Sequence, residues 1–116
     1  MKNAETFWTW SIKIAAGLLI IIILGVHFVI NHAVAPGGLL SYADVVRYYQ
    51  NPLIVAMEIV FLVFVVAHAL LGLRSILIDL NPSARILRGA SWVFAALGLG
   101  AVGYGVWLAL TVAGRG

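Results

Sequence analysis

Three long apolar runs, separated by short polar segments, make up most of the chain. Ile12 to Ile30 is interrupted only by Lys13 at its start and His27 near its end. A second run starts at Asn51-Pro52 and continues to about Leu80, and a third covers about Ile86 to Val112. Crossing hydrocarbon takes about 20 residues, so each run is long enough to span a bilayer as a helix. The breaks carry their own signals. Pro36-Gly37-Gly38 ends the first helix. Pro52 sits where a missing N–H costs nothing, and Ser83, in the turn Asn81-Pro82-Ser83, is placed to cap the third helix. Tyr42 to Tyr49 is amphipathic and suits a short helix lying at the interface. Trp8, Trp10 and Trp107 mark aromatic belts near helix ends. Gly98, Gly100, Gly103 and Gly105 in the third run let a neighbouring helix approach closely. The expected fold is all-α: an integral membrane bundle of three transmembrane helices at about 10–33, 52–80 and 86–112, one anchor domain over 1–116. Ala33-Val34-Ala35 has the small-residue pattern of a signal cleavage site. The run before it is longer than a signal core of about 7–15 residues and holds a histidine, so it reads as a retained span.

Composition agrees. Hydrophobic residues make up 64% of the 116 and charged residues 9%, with a mean hydropathy of +1.10. Soluble domains carry roughly 25% charge, so this chain lacks the polar surface to coat a core in water. It has no cysteine, which excludes disulfides, thiolate metal sites and haem attached through Cys-x-x-Cys-His, and argues against an iron–sulfur cluster. The net charge of +3 comes from scattered residues near segment ends, a topology signal and not a nucleic-acid patch. Lys2, Lys13, Arg74, Arg85 and Arg88 lie on one side; Arg47 and Arg115 lie on the other. The positive-inside rule then predicts a cytoplasmic N-terminus and an outer C-terminus in the cell (inner) membrane.

Candidate chemistry rests on polar residues inside the spans, where an ionisable group without a role is costly. At 1.5 Å per residue, His27 falls near the outer side and His68 near the inner side, about 14 Å apart along the membrane normal. One iron cannot take both. Either they are axial ligands of two haems, each completed by another chain because the third helix has no histidine, or they hydrogen-bond between helices. Gly72, four residues after His68 on the same face, would leave room for a flat macrocycle, and Arg74 could pair with a propionate. His32 suits a propionate or quinone contact, or a wet interfacial position. Glu58 shares the depth of His27. It suits proton exchange with a quinone, or an ion pair with a partner subunit. Tyr42, Tyr48 and Tyr49 belong to that outer site or to an aromatic belt. Ser75 and Asp79, near Arg74, suit an inner quinone site, a peripheral-subunit contact or ordinary helix capping.

The stretches GVHFVINHAVAPGG, an NP-started helix containing MEI, and HALLGLR lie in this order between about Gly25 and Asp79. Together they resemble the membrane anchor of succinate:quinone oxidoreductases, most of all the dihaem cytochrome b subunits of succinate dehydrogenase and fumarate reductase. The resemblance implies His27 as outer-haem ligand, His68 as inner-haem ligand, and Glu58 as the family's quinol-side glutamate if a small gap is allowed. Single-chain dihaem anchors have five helices and this chain has three, so the resemblance implies the front half of a split anchor with a second small membrane subunit. Monohaem anchors made of two three-helix chains would use His68 and not His27. Also implied are a flavoprotein subunit, an iron–sulfur subunit, one or two haems b, and menaquinone or ubiquinone as substrate. The dicarboxylate site would lie outside this chain, which has neither a nucleotide-binding loop nor cysteine. A haem-free small transporter or assembly subunit, with Glu58 and the histidines as a proton relay, is the alternative.

Overall fold

The computed structural model describes residues 5–34 and 41–116, with no side-chain description for Val34. Lys2, Ala35 and the Pro36-Gly37-Gly38 break lie outside the described residues. Most of those described are helical, in the order α1 (Phe7–Val29), a π-helical turn (Ile30–Val34), α2 (Tyr42–Tyr48), α3 (Pro52–Asp79) and α4 (Ala84–Ala113). Three helices are long and apolar enough to cross a membrane: Phe7–Ala33, Pro52–Asp79 and Ala84–Ala113.

Local chemistry sets each start. The Thr6 hydroxyl accepts from the Thr9 amide at 3.2 Å, so α1 begins at Phe7, ahead of its apolar run. Ser41 and Asp44 form a reciprocal capping box on α2. Asn51 Oδ1 accepts from Leu53 N–H at 2.9 Å, with Pro52 opening α3. Ser83 caps α4 by accepting from Ile86 N–H. Between α3 and α4, Asn81 takes a left-handed φ of 52°, the conformation that asparagine tolerates better than most side chains.

α3 is the middle helix, packed on α1 along one side and on α4 along another. The α4 seam is made by glycines two turns apart. A Cβ at Gly98 would press on Leu70 at 2.8 Å, and one at Gly105 would overlap Leu62. Leu62, Val66 and Leu70 recur every four residues on α3, so its leucine ridge fits the small-residue groove of α4. Gly100 and Gly103 face open space instead. Among the described residues only Ala16, Ile54 and Ala109 are buried, while Trp8, Leu53, Trp92 and Leu99 are each more than 70% exposed. Such a surface has no hydrophobic reason to exist in water; lipid tails or other helices must cover it.

Candidate functional site

Two polar clusters lie at opposite ends of the α1–α3 pair. The one at the end that the positive-inside rule predicts to be outer centres on Glu58, in the second turn of α3. Antiparallel α1 brings His27 to it, and α2 brings Tyr48. The Tyr48 hydroxyl donates to Glu58 Oε1 at 2.6 Å, within the range of a phenol bonded to a carboxylate. His27 Nδ1 lies 2.9 Å from the same oxygen. It is out of line for a hydrogen bond, so this buried nitrogen has a close partner of opposite polarity but no completed bond. The His27 ring stacks on Phe61, with centroids 5.8 Å apart. Asn31 Oδ1, in the π-helical turn, is also buried without a hydrogen-bond partner. Beside the carboxylate, a cleft of about 250 Å³ is lined by Tyr49, Glu58, Ile59, Phe61, Leu62, Val65, Gly105 and Ala109. That volume lies just below the usual range for small-molecule sites, and the lining is apolar with a few polar groups at one end. Burial first, then its bond to Glu58, pushes the Tyr48 phenol well above its ordinary value, and burial raises Tyr49 as well.

The inner cluster joins the start of α1 to the end of α3. Lys13 Nζ donates to both Glu5 carboxylate oxygens, at 3.0 and 3.2 Å, and to Ser75 Oγ at 2.8 Å. Ser75 in turn donates to Glu5 at 2.6 Å. The Ser75 hydroxyl foremost, and then Lys13, hold the Glu5 carboxyl below its ordinary value. Arg74 is turned toward α4, with Nε donating to Ser91 Oγ at 2.9 Å. Two turns back along α3 from Ser75, His68 lies against α1. Its Nδ1 is 3.2 Å from the Lys13 carbonyl oxygen, and its ring faces Gly17.

Ten residues separate Gly17 from His27 on α1, and ten separate Glu58 from His68 on α3. That is about 15 Å of helix rise, so the two histidines occupy separate levels. Both touch the neighbouring helix, His68 through a hydrogen-bond contact and His27 through the approach of Nδ1 to the Glu58 carboxylate. Among the described residues no three His, Asp or Glu side chains converge to hold a metal ion. A macrocycle supplies most of the ligands to its iron and asks only an axial imidazole of the chain. At His68 the residues fit one. A carbonyl only accepts, so in the neutral imidazole Nδ1 is the donor and Nε2 keeps its lone pair. The residue is exposed, and a Cβ at Gly72, one turn along, would meet nothing within 4 Å. His27 is half-buried, with Nδ1 against a carboxylate, an arrangement that also supports a metal-bound imidazole.

Of the remaining sequence candidates, Ser75 belongs to the inner cluster. Tyr42 is exposed at the start of α2 and does not reach Glu58; Tyr48 is the phenol that does. Asp79 is exposed at the end of α3. His32 is exposed, stacks on Phe28 and has Nδ1 3.0 Å from the Phe28 carbonyl, outside the Glu58 cluster. Sequence reasoning missed Glu5, Gly17 and Ser91. Their partners are 70, about 50 and 17 positions away, and no local spacing announces them.

The profile of the succinate dehydrogenase/fumarate reductase transmembrane subunits matches residues 1–113. The chain is 32% identical over 103 residues to the succinate dehydrogenase hydrophobic membrane anchor subunit of Archaeoglobus fulgidus, covering 89% of this chain and 87% of that protein. No solved structure matches it.

Proposed function

Since this chain belongs to the succinate dehydrogenase/fumarate reductase transmembrane subunits, we propose that it binds haem b through His68 and exchanges protons with membrane quinone at the Glu58 cluster. As a multi-pass membrane protein and anchor subunit it works within a complex. Electrons would pass between an iron–sulfur subunit and quinone, with a flavoprotein carrying the dicarboxylate chemistry and a second small membrane subunit completing the haem ligation. The N-terminus would face the cytoplasm.

The observation that carries this reading is the His68 ring, with Nδ1 committed to a backbone carbonyl and the Nε2 lone pair left available on an exposed residue. Haem bound there would supply a reversible one-electron carrier. Arg74, steadied at Nε by Ser91, keeps its other N–H groups for a propionate. Gly72 leaves the space beside His68 open. On the outer side, Glu58 exchanges a proton with a quinone oxygen, Tyr48 holds the carboxylate in place through Oε1, and His27 stands beside that carboxylate oxygen. His27 has a second reading. A carboxylate against Nδ1 suits an imidazole whose Nε2 ligates a second haem, as the dihaem anchors imply. Ser75, Asp79 and His32 remain proposed contacts for quinone or a propionate.

Reduced-minus-oxidised visible spectra of the purified complex test this. Haem b bands are expected, and His68→Ala should remove the inner haem. A haem count of two per complex assigns His27 to iron; a count of one leaves it with Glu58. A complex without b-type absorption would overturn the reading in favour of a haem-free proton relay, for which the Tyr48–Glu58–His27 cluster already has the parts.

A further inference from the structure

Two contacts seat the His68 ring against α1. The first is the 3.2 Å approach of Nδ1 to the Lys13 carbonyl. The second is Gly17, one turn on. A Cβ there would lie 3.0 Å from Cε1 and 3.3 Å from Nδ1 of His68, but 4.0 Å from Nε2. Glycine therefore admits the Nδ1 edge of the ring and leaves Nε2 the farther nitrogen. The acceptor is itself anchored, because the Lys13 ammonium is held by Glu5 and Ser75. Ring orientation, tautomer and approach distance are thus all set by α1, although the histidine belongs to α3.

We propose that Gly17 and the Lys13 carbonyl are positioning groups for His68: they hold its imidazole as the Nδ1–H tautomer and turn Nε2 outward as the ligating nitrogen. This rests on His68 being a haem ligand and extends that reading to what sets the strength of the ligand. A hydrogen bond from the far ring nitrogen makes the near one more basic. A more basic axial ligand favours ferric iron and lowers the midpoint potential. An added methyl at Gly17 falls in the tight contact range, and the exposed ring can yield by a few tenths of an ångström. A bond that starts at 3.2 Å then passes the limit of about 3.5 Å beyond which little hydrogen bond remains.

The experiment uses the purified complex with its partner subunits. Gly17→Ala, which favours helix over glycine, should keep full haem content, shift the midpoint potential of the His68 haem to a more positive value and alter its low-spin ferric EPR signal. Gly17→Leu should fill the seat and lose that haem in complexes that retain every subunit. Solid-state NMR of the complex labelled with ¹⁵N-histidine gives a readout independent of electron flow: Nδ1 of His68 should carry a proton. Parent potential and EPR signal in Gly17→Ala, full haem in Gly17→Leu, or an unprotonated Nδ1 would overturn the proposal. His68→Ala tells the two failures apart. If it keeps all the haem, the ligand reading has failed. If it loses the haem while Gly17→Ala is unchanged, the positioning role alone has failed.

Discussion

Tyr48→Phe removes one hydroxyl from the outer cluster and keeps the ring. That hydroxyl makes a 2.6 Å bond from α2 to the Glu58 carboxylate. Hydrogen bonds to charged groups contribute about 1.5–3 kcal/mol. This one is only part-buried, so water replaces some of it and the lower end, about 1.5 kcal/mol, is expected. At 1.4 kcal/mol per factor of ten, the docking equilibrium of α2 weakens about tenfold. Just past the end of α2, exposed Gln50 Nε2 donates to Ala113 O at 3.1 Å, a weaker tie. Hydrogen exchange should therefore read about tenfold lower protection for the Val45–Tyr49 amides, with the interior of α3 unaffected. In a double-mutant cycle, Tyr48→Phe and Glu58→Gln should fall well short of additivity. Unchanged protection, or fully additive losses, would refute the role of the bond. The pH dependence has a definite sign. Burial and the Glu58 bond raise the folded-state phenol above its ordinary value of about 10. Its contribution is then complete below about pH 10 and is lost as pH climbs through the raised folded value. A near-ultraviolet titration of the parent minus Tyr48→Phe should show the Tyr48 ionisation only above about pH 10; ionisation near pH 8 would contradict the buried bond.

Glu58→Gln should slow quinone turnover by about 10²-fold while haem absorption is retained, since a positioned proton-transfer group contributes about that much. Equal turnover at saturating quinone would remove Glu58 from the mechanism. Gly105→Leu should drive into Leu62 and lower the stability of the α3–α4 pair by about 1–3 kcal/mol, read as a drop in Tm in detergent, with Leu62→Ala restoring much of it. Gly103→Ala, at an open position, should leave the Tm near the parent value.

Helix limits were largely legible because caps are local. Asn51-Pro52 and Ser83 act where the sequence places them. α1 starts earlier than its apolar run because Thr6 supplies a cap that hydropathy ignores. Depth was legible too, since rise per residue alone puts His27 level with Glu58 and far from His68. Rotation and pairing were not. Six residues turn α2 by about 240°, so Tyr42 and Tyr48 point in different directions, and only the placement of α2 selects Tyr48. Lys13 looks like a topology charge in the sequence. In the fold it closes a clamp with Glu5 and Ser75, residues that come together only when α1 and α3 pair. The four glycines of α4 look alike as letters, but Gly98 and Gly105 share a face and receive α3, while Gly100 and Gly103 turn away.

The link from Leu80 to Ser83, with its left-handed Asn81, works as an indexing stop between α3 and α4. An extra residue taken up by the first turn of α4, with the turn of the link kept, would shift the register of α4 by about 100° and about 1.5 Å. Leu62 and Leu70 would then lose their notches, and Arg74 would lose Ser91, in a single step. The length of this link therefore dictates which flank of α4, the one bearing Tyr104 and Trp107 included, is offered outward to neighbouring helices or lipid. Four residues of loop thereby select the surface along which the larger assembly can grow.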